Sequence, residues 1–491
     1  VSYDFNPDSV ELFAAHLIGG ERVYAGETLK VVRPSDGLEA LPIPMADAAI
    51  VSRAVESADH AFRTSGWAEA NPLDRAAVLL RWADLIDANR QRIARAEAVA
   101  SSRPIADLME RDMVRATGAI RYFAQWADKV EGQLFAGKAG LSSYAKPEPY
   151  GVVASITPFN FPVIHGIWKS AAPLAVGNAV VLKPSELTPY STLLVAELAI
   201  EAGLPKGLFN IVLGAGATGS ALVRHPLVRK VTFTGSSATG ARIMADAAET
   251  GTKPVTLELG GKTPQLVLRD VTNLDRVAGN IAAGFLANSG QVCTAGTRLI
   301  APRDLLEPLL EKVTAIANGR KAGPTWIAGN TLPPIISEKQ AARIDAMLAE
   351  TRRDGAEVLL GGGRVPEMNG GAYYQPTILS GVPDSSVGYT GEFFGPIMSV
   401  YGYDEEEEGI AMANHPTYAL AASLYTDNLQ RAMSLVDRLE AGTVWVNAHG
   451  RQPDYATPQG GFNGSGFGKE MGRSGLETFL RSKTVVLNYG E

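Results

Sequence analysis

The rhythm of hydrophobic and polar positions changes along the chain. From about residue 150, short runs rich in Val, Ile and Leu recur: YGVVASI (150–156), NAVVLKP (178–184), LFNIVLG (208–214), KVTFTG (230–235) and KPVTLEL (253–259). Apolar runs of this length without polar alternation predict strands buried on both faces. Between them the apolar spacing becomes helical, over 162–176, 189–202, 216–224 and 236–249, with Pro162 at a first-turn position. Strand and helix in alternation predict βαβ units and a parallel sheet, with ligands at the C-terminal ends of its strands. Upstream, 45–127 is helical and rich in Ala, Arg and Leu. Downstream, 265–440 mixes strands such as TRLIAP (297–302) with helical patterns such as 335–355. The paired glycines of ELGGK mark a change of domain near Gly260, and no internal repeat is visible.

The 20 residues from Pro149 to Trp168 contain no Lys, Arg, Asp or Glu, long enough for a membrane span by length alone. Pro158, Asn160, Pro162 and Gly166 interrupt the stretch, so it reads instead as a buried strand, a loop and a helix start. The remaining composition is that of a water-soluble globular protein: 46% hydrophobic residues, 20% charged and a net charge of −7. That charge offers no footprint for nucleic acid. The N-terminal residues lack the basic start and apolar run of a signal peptide. The single cysteine, Cys293, rules out an internal disulfide and fits a cytoplasmic location. The acidic run DEEEE (404–408) predicts the start of a solvated helix or turn, not a metal site.

Several loops after the predicted strands carry candidate chemistry. GAGATG (214–219) satisfies the dinucleotide fingerprint literally but lacks its acidic partner on the next strand, so it reads as a Gly-rich helix entry. FTGSSATG (233–240) is the better phosphate site, with Gly235 admitting close approach and Ser236 at a helix start; a simple N-cap is the alternative. In LKPSE (182–186), Lys183 and Glu186 can hold ribose hydroxyls, or form a surface ion pair. A carboxylate there repels the additional phosphate of NADP and favours NAD. In TPFNFP (157–162), two prolines fix the loop carrying Asn160, whose amide can donate to an oxyanion or merely form a turn. LELGGK (257–262) puts Glu258 at a strand end, as a general base of raised pKa or an ion-pair partner. GQVC (290–293) puts Cys293 on a loop expected to enter a helix, where backbone N–H groups stabilise a thiolate; the alternative is an inert buried thiol. GEFFGP (391–396) places Glu392 and Phe394 in a turn.

Taken in order, the motifs at 157–162, 182–186, 233–236, 257–262, 290–293 and 391–396 resemble those of the NAD(P)-dependent aldehyde dehydrogenase superfamily. ELGGK followed 35 residues later by Cys293 is the most specific feature. The resemblance implies an α/β fold with a Rossmann-type cofactor domain (1–126 and 150–258), an α/β catalytic domain (259–470) and a small β oligomerisation arm (127–149 with 471–491). It implies NAD as cofactor, with NADP possible, a small-molecule aldehyde as substrate, and a homodimer or homotetramer in which the strand at 482–489 extends a partner's sheet.

The same resemblance makes Cys293 the nucleophile. Its thiolate attacks the aldehyde carbon, and Asn160 and the Cys293 backbone N–H hold the oxyanion. Hydride leaves for the nicotinamide, and Glu258 activates the water that hydrolyses the thioester. Lys169 and Glu470 are implied behind the base as a proton exit. Lys183 and Glu186 resemble the adenosine-ribose contacts, Ser236 the pyrophosphate contact, and Glu392 and Phe394 the nicotinamide end. Ile156, Thr157, Phe159, Ser185, Gly216, Gly235, Leu259 and Gly260 fall along the same cofactor. Phe161 and Trp168 line the substrate tunnel and favour an apolar or aromatic aldehyde, whereas Arg451 would suit the carboxylate of a semialdehyde. Phe159 stands where a tryptophan is usual, and Gln459 where an aromatic is common in the entrance segment. Three rivals follow: a coenzyme A-acylating dehydrogenase, disfavoured by Glu258, a thiol esterase without hydride transfer, and a non-enzymatic relative.

Overall fold

The computed structural model describes residues 3–366, 368, 370–450 and 454–490. The five apolar runs form five parallel strands: β1 (Val152–Ile156), β2 (Ala179–Lys183), β3 (Phe209–Ile211), β4 (Val228–Thr234) and β5 (Val255–Glu258). Helices α1 (Pro162–Ala175), α2 (Tyr190–Glu201), α3 (Gly216–Arg224) and α4 (Ser237–Glu249) alternate with them. Every residue of β1, β2 and β3 is buried, as is all of α1, which is why these segments read as unbroken apolar runs. The N-terminal helices Ala48–Thr64, Pro72–Ala88, Arg90–Ala100 and Met113–Trp126 pack beside this sheet. Trp82 is fully buried there and donates its indole N–H to the Val195 carbonyl at 2.8 Å, so its polar edge is satisfied.

The parallel strands lie in the order 3-2-1-4-5, so the winding direction reverses between β1 and β4. At such a switch point the loops leaving the two strands diverge to opposite faces and open a crevice. Here those loops carry Thr157–Phe161 and Gly235–Ser236. Two short antiparallel strands, His16–Ile18 and Glu21–Val23, extend one edge. The other edge is closed by Gly466–Phe467, antiparallel to β5. This late strand brings the segment around Glu470 back under the first sheet.

After Glu258 the chain leaves for a second, seven-stranded sheet, beginning with Pro264–Val267 and Arg298–Pro302 at its centre. Both flank α5 (Leu274–Leu286) in sequence and frame the Cys293 loop. The helical pattern at 335–355 is the helix Glu338–Arg353, capped by Ser337. DEEEE opens the helix Glu406–Ala413 through a capping box between Glu405 and Glu408. A separate three-stranded antiparallel sheet joins Gln133–Phe135, Leu141–Pro149 and Leu480–Asn488, the last of these an edge strand. No helix among the described residues is long and apolar enough to cross a membrane.

Candidate active site

Asn160 leaves β1 on the loop between Pro158 and Pro162, and its side chain is buried. Its Nδ2 donates to the Gln291 carbonyl at 3.0 Å, and its own carbonyl accepts from Asn288 Nδ2 at 3.2 Å. The Asn160 loop is thus bonded at two points to the segment that delivers Cys293. That segment is itself pinned. Asn288, Ser289 and Gly290 all have positive φ, and the Gln291 amide bonds the carbonyls of Asn288 and Pro334 while accepting from Ile336 N at 2.9 Å. A Cβ on Gly290 would lie 2.0 Å from the Gly395 carbonyl oxygen, so only glycine fits.

Contrary to the helix expected from the sequence, Cys293 sits in a turn, and the chain proceeds through Gly296 directly to the strand Arg298–Pro302. The cause is Gln265, whose amide bonds the Gly296 carbonyl at 2.9 Å and packs where a Gly296 Cβ would stand. That packing ties the turn to the second sheet before a helix can start. Any stabilisation of the thiolate by backbone N–H groups therefore comes from a turn and not from a helix dipole.

Glu258 ends β5, buried at 5% exposure. The glycines around it create space. A Cβ on Gly460 would stand 2.8 Å from Glu258 Oε1, one on Gly260 2.5 Å from Glu392 Oε2, and one on Gly261 2.4 Å from the Cys293 carbonyl oxygen. Gly261 therefore fixes how closely the end of β5 approaches the Cys293 loop. Gly261→Ala is expected to displace that loop, costing about 1–3 kcal/mol in stability and at least about 100-fold in kcat/KM. Thermal melting and steady-state kinetics check this, and an alanine variant of wild-type activity would refute the tight approach.

Beneath Glu258, Lys169 is fully buried on α1 and bonds Thr232 Oγ1 at 2.9 Å and the Glu470 carboxylate. Thr234 Oγ1 reaches the same carboxylate at 3.5 Å. Gln459 and Glu470 exchange backbone hydrogen bonds at 2.7 and 2.8 Å, linking this pair to the stretch that carries Gly460.

Along the crevice, Thr157 N bonds the Lys183 carbonyl at 3.1 Å. The buried Lys183 ammonium donates to the Gly214 and Pro184 carbonyls and lies 3.5 Å from Glu186. Burial lowers the Lys183 pKa while Glu186 raises it. The Gly216 position faces open space at the start of α3. Ser236 is exposed and caps α4, its Oγ accepting from Thr239 N at 3.3 Å. Gly235 lies against the Phe233 ring, and Ile156, Ser185 and Leu259 are buried around the same edge. Glu392 accepts from Gly261 N at 3.2 Å, and burial pushes its carboxyl up to about 7 against the pull of that N–H and of Lys262. Phe394 has φ of 53° and meets Phe159 edge to face at 5.6 Å. These groups fit a dinucleotide: a cation and a carboxylate for ribose hydroxyls, a helix N-terminus for phosphate, and a second carboxyl group, that of Glu392, beside Gly261.

Cys293, half-buried, lines a cavity of about 490 Å³ together with Phe161, Ile164, Trp168 and Val292. Phe161, His165 and Trp168 stack in edge-to-face succession along α1. Arg451 lies outside the described residues. Sequence reasoning missed Gln291, although it sits inside the GQVC motif, and missed Gly261 and Gly460 as spacers. It also missed Arg103, Arg111, Arg115 and Arg320, which line the same cavity. Arg111 and Arg115 have the i, i+4 spacing of one helix face, but Arg320 had no local signal.

The sequence profile of the aldehyde dehydrogenase family matches residues 23–485, and the chain belongs to that family, whose general reaction is the oxidation of aldehydes. DhaS of Bacillus subtilis (strain 168), whose name assigns it to the aldehyde dehydrogenases provisionally, is 36% identical over 465 residues. That match covers 94% of this chain and 93% of that protein. The NAD+ complex of an aldehyde dehydrogenase from Bacillus cereus superposes with a TM-score of 0.95 at 34% identity, covering 100% of both chains. A cysteine-to-alanine mutant of the P. syringae AldA indole-3-acetaldehyde dehydrogenase, in complex with NAD+ and IAA, gives a TM-score of 0.95 at 34% identity over 98% of each chain.

Proposed function

We propose that this protein oxidises an aldehyde with an apolar or aromatic body to the carboxylic acid, using NAD and a covalent intermediate on Cys293. The observation that carries the reading is that the segment delivering Cys293 to the cavity is held from two sides, by the Asn160 amide on the Gln291 carbonyl and by the close approach of Gly261, three residues after Glu258, to the Cys293 carbonyl. The Cys293 thiolate adds to the aldehyde carbon. The resulting oxyanion lies between the second N–H of the Asn160 amide and the Cys293 backbone N–H, which are held in place before substrate arrives. When bound, NAD supplies the acceptor for the hydride that leaves this carbon. What remains on Sγ is a thioester, and Glu258 takes a proton from the water that cleaves it. Lys169 and Glu470 lie behind the base and provide buried partners for that proton's onward transfer.

Lys183, Glu186, Ser236, Glu392 and Phe394 are the residues we assign to the dinucleotide, and Phe161 and Trp168 to the aldehyde. The NAD+ complexes of similar enzymes support the cofactor, and the indole-3-acetaldehyde dehydrogenase supports an aromatic body. We assign 1–126 with 150–258 to cofactor binding, 259–470 to catalysis, and 127–149 with 471–491 to an oligomerisation arm. The exposed Val486 and Leu487 on the outer strand suit pairing with a second copy, and a reducing cytoplasm would keep Cys293 a thiol.

The test is absorbance at 340 nm with benzaldehyde and NAD, with and without coenzyme A. NADH formation that needs no coenzyme A is expected; strict dependence on it would transfer the protein to the acylating class. Glu186→Gln is expected to raise kcat/KM with NADP about ten-fold relative to NAD, by removing a like charge beside the additional phosphate. An unchanged NADP-to-NAD ratio would remove Glu186 from the cofactor site.

A further inference from the structure

The cavity that starts at Cys293 is not apolar throughout. Phe161, Trp168, Ile164 and Val292 line it together with Cys293, but so do four arginines, Arg103, Arg111, Arg115 and Arg320. Only two carboxylates, Asp107 and Asp112, line it among the described residues. Both are already engaged. Asp112 is buried and takes a bidentate pair from Arg103 at 2.7 and 3.1 Å. Asp107 lies 3.5 Å from Arg103 and 3.8 Å from Arg111. Arg103 is thereby neutralised and locked, with its guanidinium 4.5 Å over the Phe161 ring.

Arg320 has no such arrangement. It is half-buried, yet its side chain makes no hydrogen bond or ion pair with any described residue. Asp107 and Arg111 act on it only through space and with opposite signs, and burial lowers its pKa. A guanidinium has five N–H donors, and a half-buried one that no protein acceptor engages can give them to a ligand. Arg111, whose side chain is 70% exposed, marks the solvent end of the cavity. Arg320 is thus a cation on the cavity wall whose donors no described residue takes up.

We propose that Arg320 marks a recognition site for an anionic group on the substrate: an aldehyde whose apolar body lies against Phe161 and Trp168 and whose far end carries a carboxylate held chiefly by Arg320. This rests on the reading of the cavity as the aldehyde site and narrows it to acidic aldehydes. Arg320 binds but takes no part in bond making. Its loss therefore raises KM for the acidic aldehyde more than it lowers kcat.

The experiment compares 4-carboxybenzaldehyde with 4-methylbenzaldehyde, equal in body and different in charge, for wild type, Arg320→Gln and Arg320→Lys. Wild type is expected to favour the carboxylate by at least about ten-fold in kcat/KM, with the preference falling as salt rises. Arg320→Gln is expected to lower kcat/KM for the carboxylate about 10- to 100-fold, the range of a hydrogen bond to a charged group, and for the methyl compound less than about three-fold. Arg320→Lys should recover part of the loss. A wild-type preference for the methyl compound, or equal losses on both in the Gln variant, overturns the proposal while leaving aldehyde oxidation intact. If neither compound yields NADH, the reading of the site as a dehydrogenase fails first. Calorimetric binding of benzoate against benzamide then decides the anion site by itself. Benzoate weakened about ten-fold in Arg320→Gln, with benzamide unaffected, supports it; benzoate bound equally by both proteins refutes it.

Discussion

Cys293→Ala is expected to abolish NADH formation from every aldehyde, lowering kcat/KM by at least about 10⁴-fold while leaving NAD affinity within about two-fold. The size follows from the step removed. Without the thiol there is no tetrahedral adduct from which hydride can leave, so Asn160 and the backbone N–H have no oxyanion to stabilise. Cys293→Ser is the stricter comparison. It keeps a nucleophilic atom but at a pKa far above that of a thiol, and should fall nearly as low. Stopped assays at 340 nm, calorimetry with NAD and intact-protein mass spectrometry after exposure to aldehyde check the three parts. An alanine variant within ten-fold of wild type would remove the covalent mechanism altogether.

Glu258→Gln separates the two halves of the reaction. The amide is nearly isosteric, which matters because the site is close-packed: a Cβ placed on Gly460 would already lie 2.8 Å from Oε1. Hydride transfer does not need the base, so a burst of about one NADH per site should survive. Turnover after the burst should fall about 10²- to 10⁴-fold, the usual contribution of a general base. The acyl group should then be visible as a mass increase on Cys293, and hydroxylamine should discharge it. Steady turnover at the wild-type rate, or no burst at all, would assign Glu258 some other part.

The sheet of strands and helices from residue 150 to 258 was readable because each strand is buried on both faces. Burial on both faces leaves a continuous apolar run, and a helix between two such runs leaves a 3.6-residue rhythm. Positions such as Asn160, Ser236 and Glu258 were readable for a related reason: they end or follow a strand that the pattern already defines. The helix expected after Cys293 failed in part because Gly296 and Thr297 are poor helix formers, a local signal that the sequence does carry. What holds them is Gln265, 31 residues away from the Gly296 carbonyl it binds. The strand Gly466–Phe467 is two residues long and exposes Phe467, so no period could announce it.

By itself, then, the order of residues determined which segments are strands, which loops lie at their C-terminal ends, and that the chain carries a single thiol. Those are consequences of local burial, written into neighbours two to four positions apart. Only the tertiary structure decided that Asn160 bonds a carbonyl 131 residues away, that Gly261 must lack a side chain for the Cys293 loop to approach, and that four arginines from two remote segments face one cavity. Such approaches depend on strand order and close packing between sheets. These are global properties of the fold that no short window of sequence contains.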